Sequence, residues 1–178
     1  YGVYVKVSVG ECWNKTGKKP TGTRWVDVNK GDKANPEYRG RLVAQEVKKD
    51  KRQDLFAATP PIEAKRILFS MVMSSSDDVM LEFIDVRRAY FHAEAMRDIY
   101  VELPEEDMEE GMCGKLVKAM YGTRDAAQCW ERAYIKFMKD MGFECGISSP
   151  CIFWNKTKGI RAVVHGDDFT LAGKSEEL

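Results

Sequence analysis

The chain has 178 residues, equal numbers of basic and acidic side chains and a hydrophobic content of 44%, which is ordinary for a globular protein. No apolar run approaches the roughly 20 residues that a membrane-spanning helix needs, and no signal peptide opens the chain. We therefore expect neither a membrane protein nor a secreted one. Five cysteines without a CxxC or zinc spacing predict reduced thiols in the cytoplasm or nucleus.

The charge is unevenly distributed along the sequence. Lys and Arg are in excess in residues 1–60, and Asp and Glu are in excess in residues 61–178. A basic N-terminal part suits contact with phosphate backbones, whereas an acidic C-terminal part binds nucleic acid only if cations neutralise some of its charge. The basic run at 48–52 is equally well interpreted as a solvated loop.

The predicted elements mix strands and helices. Residues 1–20 are polar and predict a loop or a poorly ordered edge, and 105–111 predict an acidic turn or short helix. Apolar residues at helical spacing predict helices over 62–75 and 125–141. Short apolar or alternating runs predict strands at 23–28, 38–47, 79–85, 99–102, 115–118, 151–154, 160–165 and 169–172. Because strands and helices do not alternate strictly, an α+β fold is favoured over a doubly wound sheet.

The second predicted helix is the most regular element. Asp125 is placed as its N-cap or first-turn acid, and Gly142 as its stop. Its apolar positions predict one buried face, with Trp130 as a core residue rather than a stacking platform. These positions are Cys129, Trp130, Ala133, Tyr134, Phe137, Met138 and Met141.

Three aspartates at the ends of predicted strands are the main functional candidates. Asp167 and Asp168 lie at the tip of a predicted hairpin, and Asp85 ends another apolar run. Neighbouring carboxylates repel one another, so their approach favours a bound divalent cation with hard oxygen ligands. Each acid also has an ordinary interpretation, Asp85 as a cap and the adjacent pair as turn residues.

Several sequence blocks occur in the order found in one known family. They are YRGRLVA at 38–44, DVRRAYF at 85–91, MYGTRDAA at 120–127 followed by Trp130, SPCIF at 149–153 and HGDD at 165–168. With these blocks the chain resembles the reverse transcriptase domain of copia-type retrotransposons and, more distantly, retroviral reverse transcriptases. The resemblance covers nearly the whole chain.

This resemblance implies a right-hand polymerase fold with fingers and palm, in which helices pack on an antiparallel palm sheet. It divides the chain into an N-terminal loop or edge at 1–22, a fingers-like part at 23–75 and a palm-like part with the catalytic hairpin at 76–178. The sequence lacks an initiator Met and segments resembling a thumb or RNase H. We therefore expect a fragment truncated before those segments.

The implied activity is that of an RNA-directed DNA polymerase that transfers nucleotides onto a primer 3′-OH with two Mg²⁺ ions, or Mn²⁺ in their place. By resemblance, Asp85 and Asp167 bridge the metal ions as catalytic residues, and Asp168 contributes less directly. The carbonyl of Val86 would complete one metal site.

The resemblance also implies a nucleotide site. Tyr90 would close the sugar pocket against a 2′-OH, although a core tyrosine is the alternative. Arg41 is the candidate phosphate clamp, with Arg39 as its competitor. The remaining candidates are Arg87, Arg88 and Ala89 beside the triphosphate and Gly122 beside the template and incoming base.

The implied partners are an RNA or DNA template with its primer and a deoxynucleoside triphosphate, but no membrane. Integrase and RNase H domains are expected in the parent Pol polyprotein, located in cytoplasmic virus-like particles or the nucleus. The chain departs from the family pattern at His165, Gly166, Ala127 and Asp125, and we expect glycine at 166 to loosen its turn.

These departures keep two alternatives open. One is a catalytically inactive palm remnant that only binds nucleic acid or serves a structural role. The other is a generic α+β module that stacks single-stranded bases on aromatic side chains. A pure binding module has no reason to gather three acids on a surface meant for phosphates.

Overall fold

The computed structural model of the chain describes residues 1–47, 57–75 and 78–178. Within these residues it contains three α-helices and antiparallel β-ladders, which confirms the predicted α+β class. The basic run at 48–52 lies outside the described residues. None of the helices in the described ranges is both long and apolar enough to cross a membrane.

The secondary structure elements follow one another along the chain as ten strands and three α-helices among the described residues. They are β1 (Tyr4–Ser8), α1 (Val9–Thr16), β2 (Thr23–Asn29), β3 (Tyr38–Ala44), α2 (Ile62–Met73), β4 (Val79–Asp85), β5 (Tyr100–Val101), β6 (Met112–Leu116), α3 (Ala126–Asp140), β7 (Glu144–Cys145), β8 (Ile152–Asn155), β9 (Ile160–His165) and β10 (Asp168–Lys174). Two 3-10 helices occupy Ala89–His92 and Glu105–Asp107.

Residues 1–20 do not form a loop throughout, because β1 and α1 form there, but β1 does lie at the edge of its sheet. The Ser8 side chain accepts a hydrogen bond from the backbone N–H of Glu11 and caps α1. Gly17, at φ 64°, ends the helix in the left-handed conformation that glycine adopts without strain. The Ser-x-x-Glu spacing of a capping box was the sequence signal for this helix.

The described residues form two compact units, and the first comprises 1–47 and 90–129. It contains a three-stranded sheet in the order β1-β6-β5 and the predicted antiparallel hairpin of β2 and β3. Its core packs the end of β3 against β5, β6 and the segments next to them through buried apolar side chains. These are Ala44, Ile99, Val101, Leu116 and Met120.

The second unit comprises 57–75, 78–89 and 130–178. Its five strands pair antiparallel in the order β4-β10-β9-β8-β7, so that β10 lies between β4 and β9. Helix α2 packs on this sheet through Ala64 and Leu68, which meet Val163 and Ala172 in one buried cluster. Burial of this apolar surface is the main force holding α2 to the sheet.

Helix α3 buries one face as predicted, but a narrower one. Trp130 and Tyr134 are 7% and 4% exposed, and Tyr134 contacts Phe169 with ring centroids 6.0 Å apart. Trp130 is therefore a core residue. Phe137 and Met141 follow the same helical spacing but are 59% and 55% exposed, so the predicted buried face does not extend to them.

Candidate active site

The three candidate aspartates meet at the end of the β4–β10 ladder. Asp168 pairs with Asp85 in the antiparallel register, and Asp167 precedes Asp168 in the turn from β9. The backbone N–H of Val86 donates a 2.9 Å hydrogen bond to the carbonyl of Asp167. This bond ties the segment after Asp85 to the turn that carries the other two acids.

The geometry of the three carboxylates fits a divalent cation. One ligand oxygen from each of Asp85, Asp167 and Asp168 lies within 4.8 Å of the others, and all three residues are exposed. Among the described residues, no cation or hydrogen-bond donor is paired with their side-chain oxygens. Hard oxygen donors with free lone pairs are the ligands that Mg²⁺ and Mn²⁺ prefer. The arrangement can therefore hold a divalent cation.

The turn at 165–168 is short. His165 pairs with Asp168, so only two residues connect β9 to β10. Gly166 has φ 66°, and a two-residue hairpin turn with glycine in this conformation at its first central position matches the twist of the flanking strands. This backbone conformation favours glycine at position 166, and the expectation that glycine loosens the turn stays a prediction.

The segment after Asp85 presents two arginines. Arg87 and Arg88 are both exposed, whereas Ala89 is 2% exposed at the start of a 3-10 helix. Arg88 has φ 56°, the only positive φ at a non-glycine residue in the described ranges. Backbone strain of this kind concentrates at functional sites, in keeping with a functional role for this segment.

Three of the nucleotide-site candidates belong to the first unit and surround Tyr121. The guanidinium carbon of Arg41 lies 5.5 Å from the centre of the Tyr121 ring, and the Tyr90 ring centroid is 4.5 Å from it. Gly122 follows Tyr121 directly. Sequence reasoning missed Tyr121, although it lies within the MYGTRDAA block, because an aromatic residue before glycine has no distinctive spacing.

Arg39 and Gly122 have evident local roles. Arg39 donates two hydrogen bonds to Glu37, at 3.0 and 2.7 Å, so its guanidinium is already engaged by a carboxylate. Gly122 has φ 86°, and a Cβ there would lie 1.9 Å from the carbonyl oxygen of Ala44. The glycine is needed for the close approach of this loop to β3.

An ion-pair network that the sequence did not predict joins the same loop to the end of β3. Arg97 donates to both oxygens of Asp125, at 2.8 and 2.9 Å, and to both oxygens of Glu46, at 2.8 and 2.6 Å. A Glu46 oxygen also accepts the backbone N–H of Arg124. Asp125 is thus the buried partner of a guanidinium, rather than mainly a helix cap.

The network controls the ionisation of its acids. Burial acts to raise the pKa of Asp125, but the hydrogen bonds and charge of Arg97 outweigh it and keep that pKa below its usual value. The pKa of Glu46 is lowered in the same way, against its own burial, with help from the Arg124 N–H. Both acids are therefore ionised in the folded protein at neutral pH.

A paired-acid centre at a strand end, on an antiparallel sheet backed by helices, is typical of enzymes that transfer nucleotides with metal ions. The sequence model of the reverse transcriptase (RNA-dependent DNA polymerase) family matches residues 9–178. The chain belongs to this family, as the sequence blocks predicted.

The chain is also similar in sequence to two curated proteins. The chain is 29% identical over 171 residues to the retrovirus-related Pol polyprotein from transposon TNT 1-94 of Nicotiana tabacum, which covers 91% of the chain and 13% of that protein. It is 26% identical over 167 residues to the retrovirus-related Pol polyprotein from transposon RE1 of Arabidopsis thaliana, covering 88% of the chain and 11% of that protein. The chain thus spans about an eighth of the length of these relatives.

Proposed function

We propose that this chain is the reverse transcriptase domain of a copia-type retrotransposon Pol polyprotein and adds deoxynucleotides to a primer 3′-OH. The observation that carries the proposal is the meeting of Asp85, Asp167 and Asp168 within 4.8 Å on an exposed strand end. Family membership indicates the class of reaction, and the three acids would bind the metal ions that this reaction uses.

The three carboxylates would hold the divalent cations, with Asp85 and Asp167 as the main ligands. When bound, Mg²⁺ or Mn²⁺ supplies the charge that stabilises an attacking 3′ oxygen and a leaving pyrophosphate. Asp168 lies opposite Asp85 and adds negative charge to the same site. The amide of Val86 donates to the Asp167 carbonyl, which restrains the residue whose own carbonyl, in the following peptide, we assign to the metal.

The remaining candidates would bind the nucleotide. Arg41 is favoured over Arg39 as the phosphate clamp, because Arg39 is engaged by Glu37. Tyr90 is assigned as the gate against a 2′-OH by the family resemblance, and its ring packs against that of Tyr121. The exposed arginines and the buried alanine that follow the first catalytic acid remain proposed triphosphate contacts. They are Arg87, Arg88 and Ala89.

We further propose that residues 23–75 correspond to polymerase fingers and residues 76–178 to a palm. The five-stranded antiparallel sheet, with two acids in one hairpin and the third on the neighbouring strand, supports the palm assignment. The compact units follow other boundaries, since each combines segments from both parts of the chain.

The proposed partners are a primed RNA or DNA template and a deoxynucleoside triphosphate, with integrase and RNase H elsewhere in a parent polyprotein. The similarity to two Pol polyproteins supports this context. All five cysteines are free thiols, in keeping with a reducing compartment such as the cytoplasm or nucleus.

An inactive palm remnant is the second candidate. The departure at His165-Gly166 is the observation that favours it. Retention of all three acids in one cluster opposes it, because acids on a phosphate-binding surface are unfavourable without cations.

Primer extension on poly(rA)–oligo(dT) with Mg²⁺ or Mn²⁺ separates the two. The native chain should extend the primer, and Asp167→Asn should not. Asp140→Asn is the matched control, because Asp140 is an exposed acid on α3 that pairs only with Lys136 among the described residues. Extension by the native chain would exclude the remnant, and extension by Asp167→Asn at the native rate would overturn the catalytic assignment.

A further inference from the structure

We propose that Trp130 is a positioning residue, whose indole N–H holds the turn carrying Asp167 and Asp168 in the geometry that cation binding requires. The inference rests on the proposed function, since it concerns the same three acids. It assigns to a core residue of α3 a role in the site beyond packing.

The contact that carries the inference is a single hydrogen bond. The Nε1 atom of Trp130 donates to the backbone carbonyl of Gly166 at 2.7 Å. This carbonyl belongs to the peptide that leads directly into Asp167. An indole has only one donor, so all of its hydrogen-bonding capacity is directed at the turn.

The donor itself is held rigidly. Trp130 is 7% exposed, and its ring lies edge-on to Tyr134 and Phe169, with centroid distances of 5.7 and 6.4 Å. Phe169 follows Asp168 in β10, so the tryptophan contacts the turn on both sides of its acids. A helix-mounted ring in this position cannot follow the turn if the turn moves.

The turn needs such a restraint because little else limits it. Gly166 has no side chain to restrict its backbone dihedral angles, and a Cβ there would meet no atom within 4 Å. Asp167 is exposed beside two other carboxylates, whose repulsion favours an opened turn when no cation is bound. The Val86 N–H holds the next carbonyl, that of Asp167, from the other side.

Two hydrogen bonds from different elements therefore fix consecutive peptides of the turn. The bond from Val86 couples Asp167 to the segment after Asp85, and the bond from Trp130 anchors Gly166 to α3. Groups that orient metal ligands without touching the metal commonly change metal affinity by 10–100-fold when removed.

The test measures Mn²⁺ binding by titration calorimetry, which needs no enzymatic activity. Trp130 is replaced by β-(3-benzothienyl)alanine, which keeps the ring shape and lacks the N–H, and in a second variant by Phe. Tyr134→Leu is the matched control, because it removes aromatic packing against Trp130 and Phe169 but not the hydrogen bond. Circular dichroism checks the fold of each variant.

Both Trp130 variants should bind Mn²⁺ about tenfold more weakly than the native chain. Tyr134→Leu should lose thermal stability yet keep its Mn²⁺ affinity within about twofold. Unchanged affinity in the benzothienylalanine variant would overturn the inference, and so would an equal loss in Tyr134→Leu. If the native chain and Asp167→Asn bound Mn²⁺ alike, the metal site of the proposed function would fail as well, which separates the two failures.

Discussion

Asp168 lies directly opposite Asp85 in the antiparallel register of β10 and β4, which also pairs Lys174 with Val79 at the far end of the ladder. Side chains on paired strands alternate between the two faces of a sheet, so a slip of one residue would move Asp168 to the other face. The position of the acids therefore depends on the packing of the whole ladder, including the burial of Phe169 and Ala172 on β10.

The first prediction concerns Gly166, in the turn that carries Asp167 and Asp168. Gly166→Val should lower the free energy of unfolding by about 1–2 kcal/mol, because a β-branched residue is strained at φ 66°. Gly166→Asn should cost less, since asparagine tolerates the left-handed region. Urea unfolding of both variants provides the comparison. A valine variant as stable as the native chain would show that the turn adopts another conformation.

A second prediction concerns Gly122. An alanine there must adopt φ 86° and also meets the backbone of Ala44 at 1.9 Å, so the loop must move away from β3. Gly111→Ala is the matched control, because Gly111 has φ 74° with nothing within 4 Å and carries only the left-handed cost of about 1–2 kcal/mol. We expect Gly122→Ala to be clearly less stable than Gly111→Ala in thermal unfolding. Equal losses of thermal stability in the two variants would show that Gly122 does not lie this close to the backbone of Ala44.

Arg97→Met should be among the most destabilising surface substitutions. It leaves Asp125 and Glu46 without their guanidinium, and Asp125 has only 6% of its side chain exposed. Breaking a fully buried pair costs about 3–5 kcal/mol, and we expect about 2–3 because the Arg97 side chain is 31% exposed. Chemical denaturation measures this, with Arg39→Met as an exposed-pair control that should barely change. A loss no larger than in the control would contradict the role of the network.

The same network predicts an acid-dependent stability. Asp125 and Glu46 have pKa values that Arg97 holds below their usual values, which are about 3.9 for Asp and 4.3 for Glu in unfolded chains. Their contribution is therefore complete above about pH 5 and is lost as the pH falls through the lowered folded-state pKa values. The stability difference between the native chain and Arg97→Met should shrink from pH 7 to pH 3. A constant difference would show that these carboxyls are not linked to folding.

Tyr90→Ala tests the sugar gate. Removing the phenol ring opens the space that a ribose 2′-OH would occupy, so the ratio of ribonucleotide to deoxynucleotide incorporation should rise on the order of 10–100-fold. Single-nucleotide extension assays measure the two rates, and Phe91→Leu controls for general loss of aromatic packing around Tyr121. If both variants change the ratio equally, Tyr90 is a packing residue rather than a gate.

Much of the fold was predictable because local signals and tertiary contacts agree. The hairpin of β2 and β3, strand β4 and helices α2 and α3 all form where apolar periodicity predicted them. The meeting of Asp85 with Asp167 and Asp168 followed from their places at strand ends. Helix α1 was missed because it is short and has few apolar residues, although the spacing of Ser8 and Glu11 is that of a capping box.

The network and the turn anchor were not predictable from sequence. Glu46, Arg97 and Asp125 are 28 or more residues apart, and no periodicity links charges that only tertiary structure brings together. Trp130 was correctly predicted to be buried, but the direction of its N–H depends on how α3 packs against the sheet. The direction in which a side chain points toward another element depends on tertiary packing, which the local sequence pattern does not encode.

The central claim is that Asp85, Asp167 and Asp168 form one cation site. Anomalous scattering from crystals soaked in Mn²⁺ tests it most directly, with crystals of Asp167→Asn as the control. The account predicts a Mn²⁺ peak in the native crystal bounded by carboxylate oxygens of Asp85 and Asp167, and its loss in the variant. A native crystal with no peak at these acids, or a peak that persists in Asp167→Asn, would contradict it.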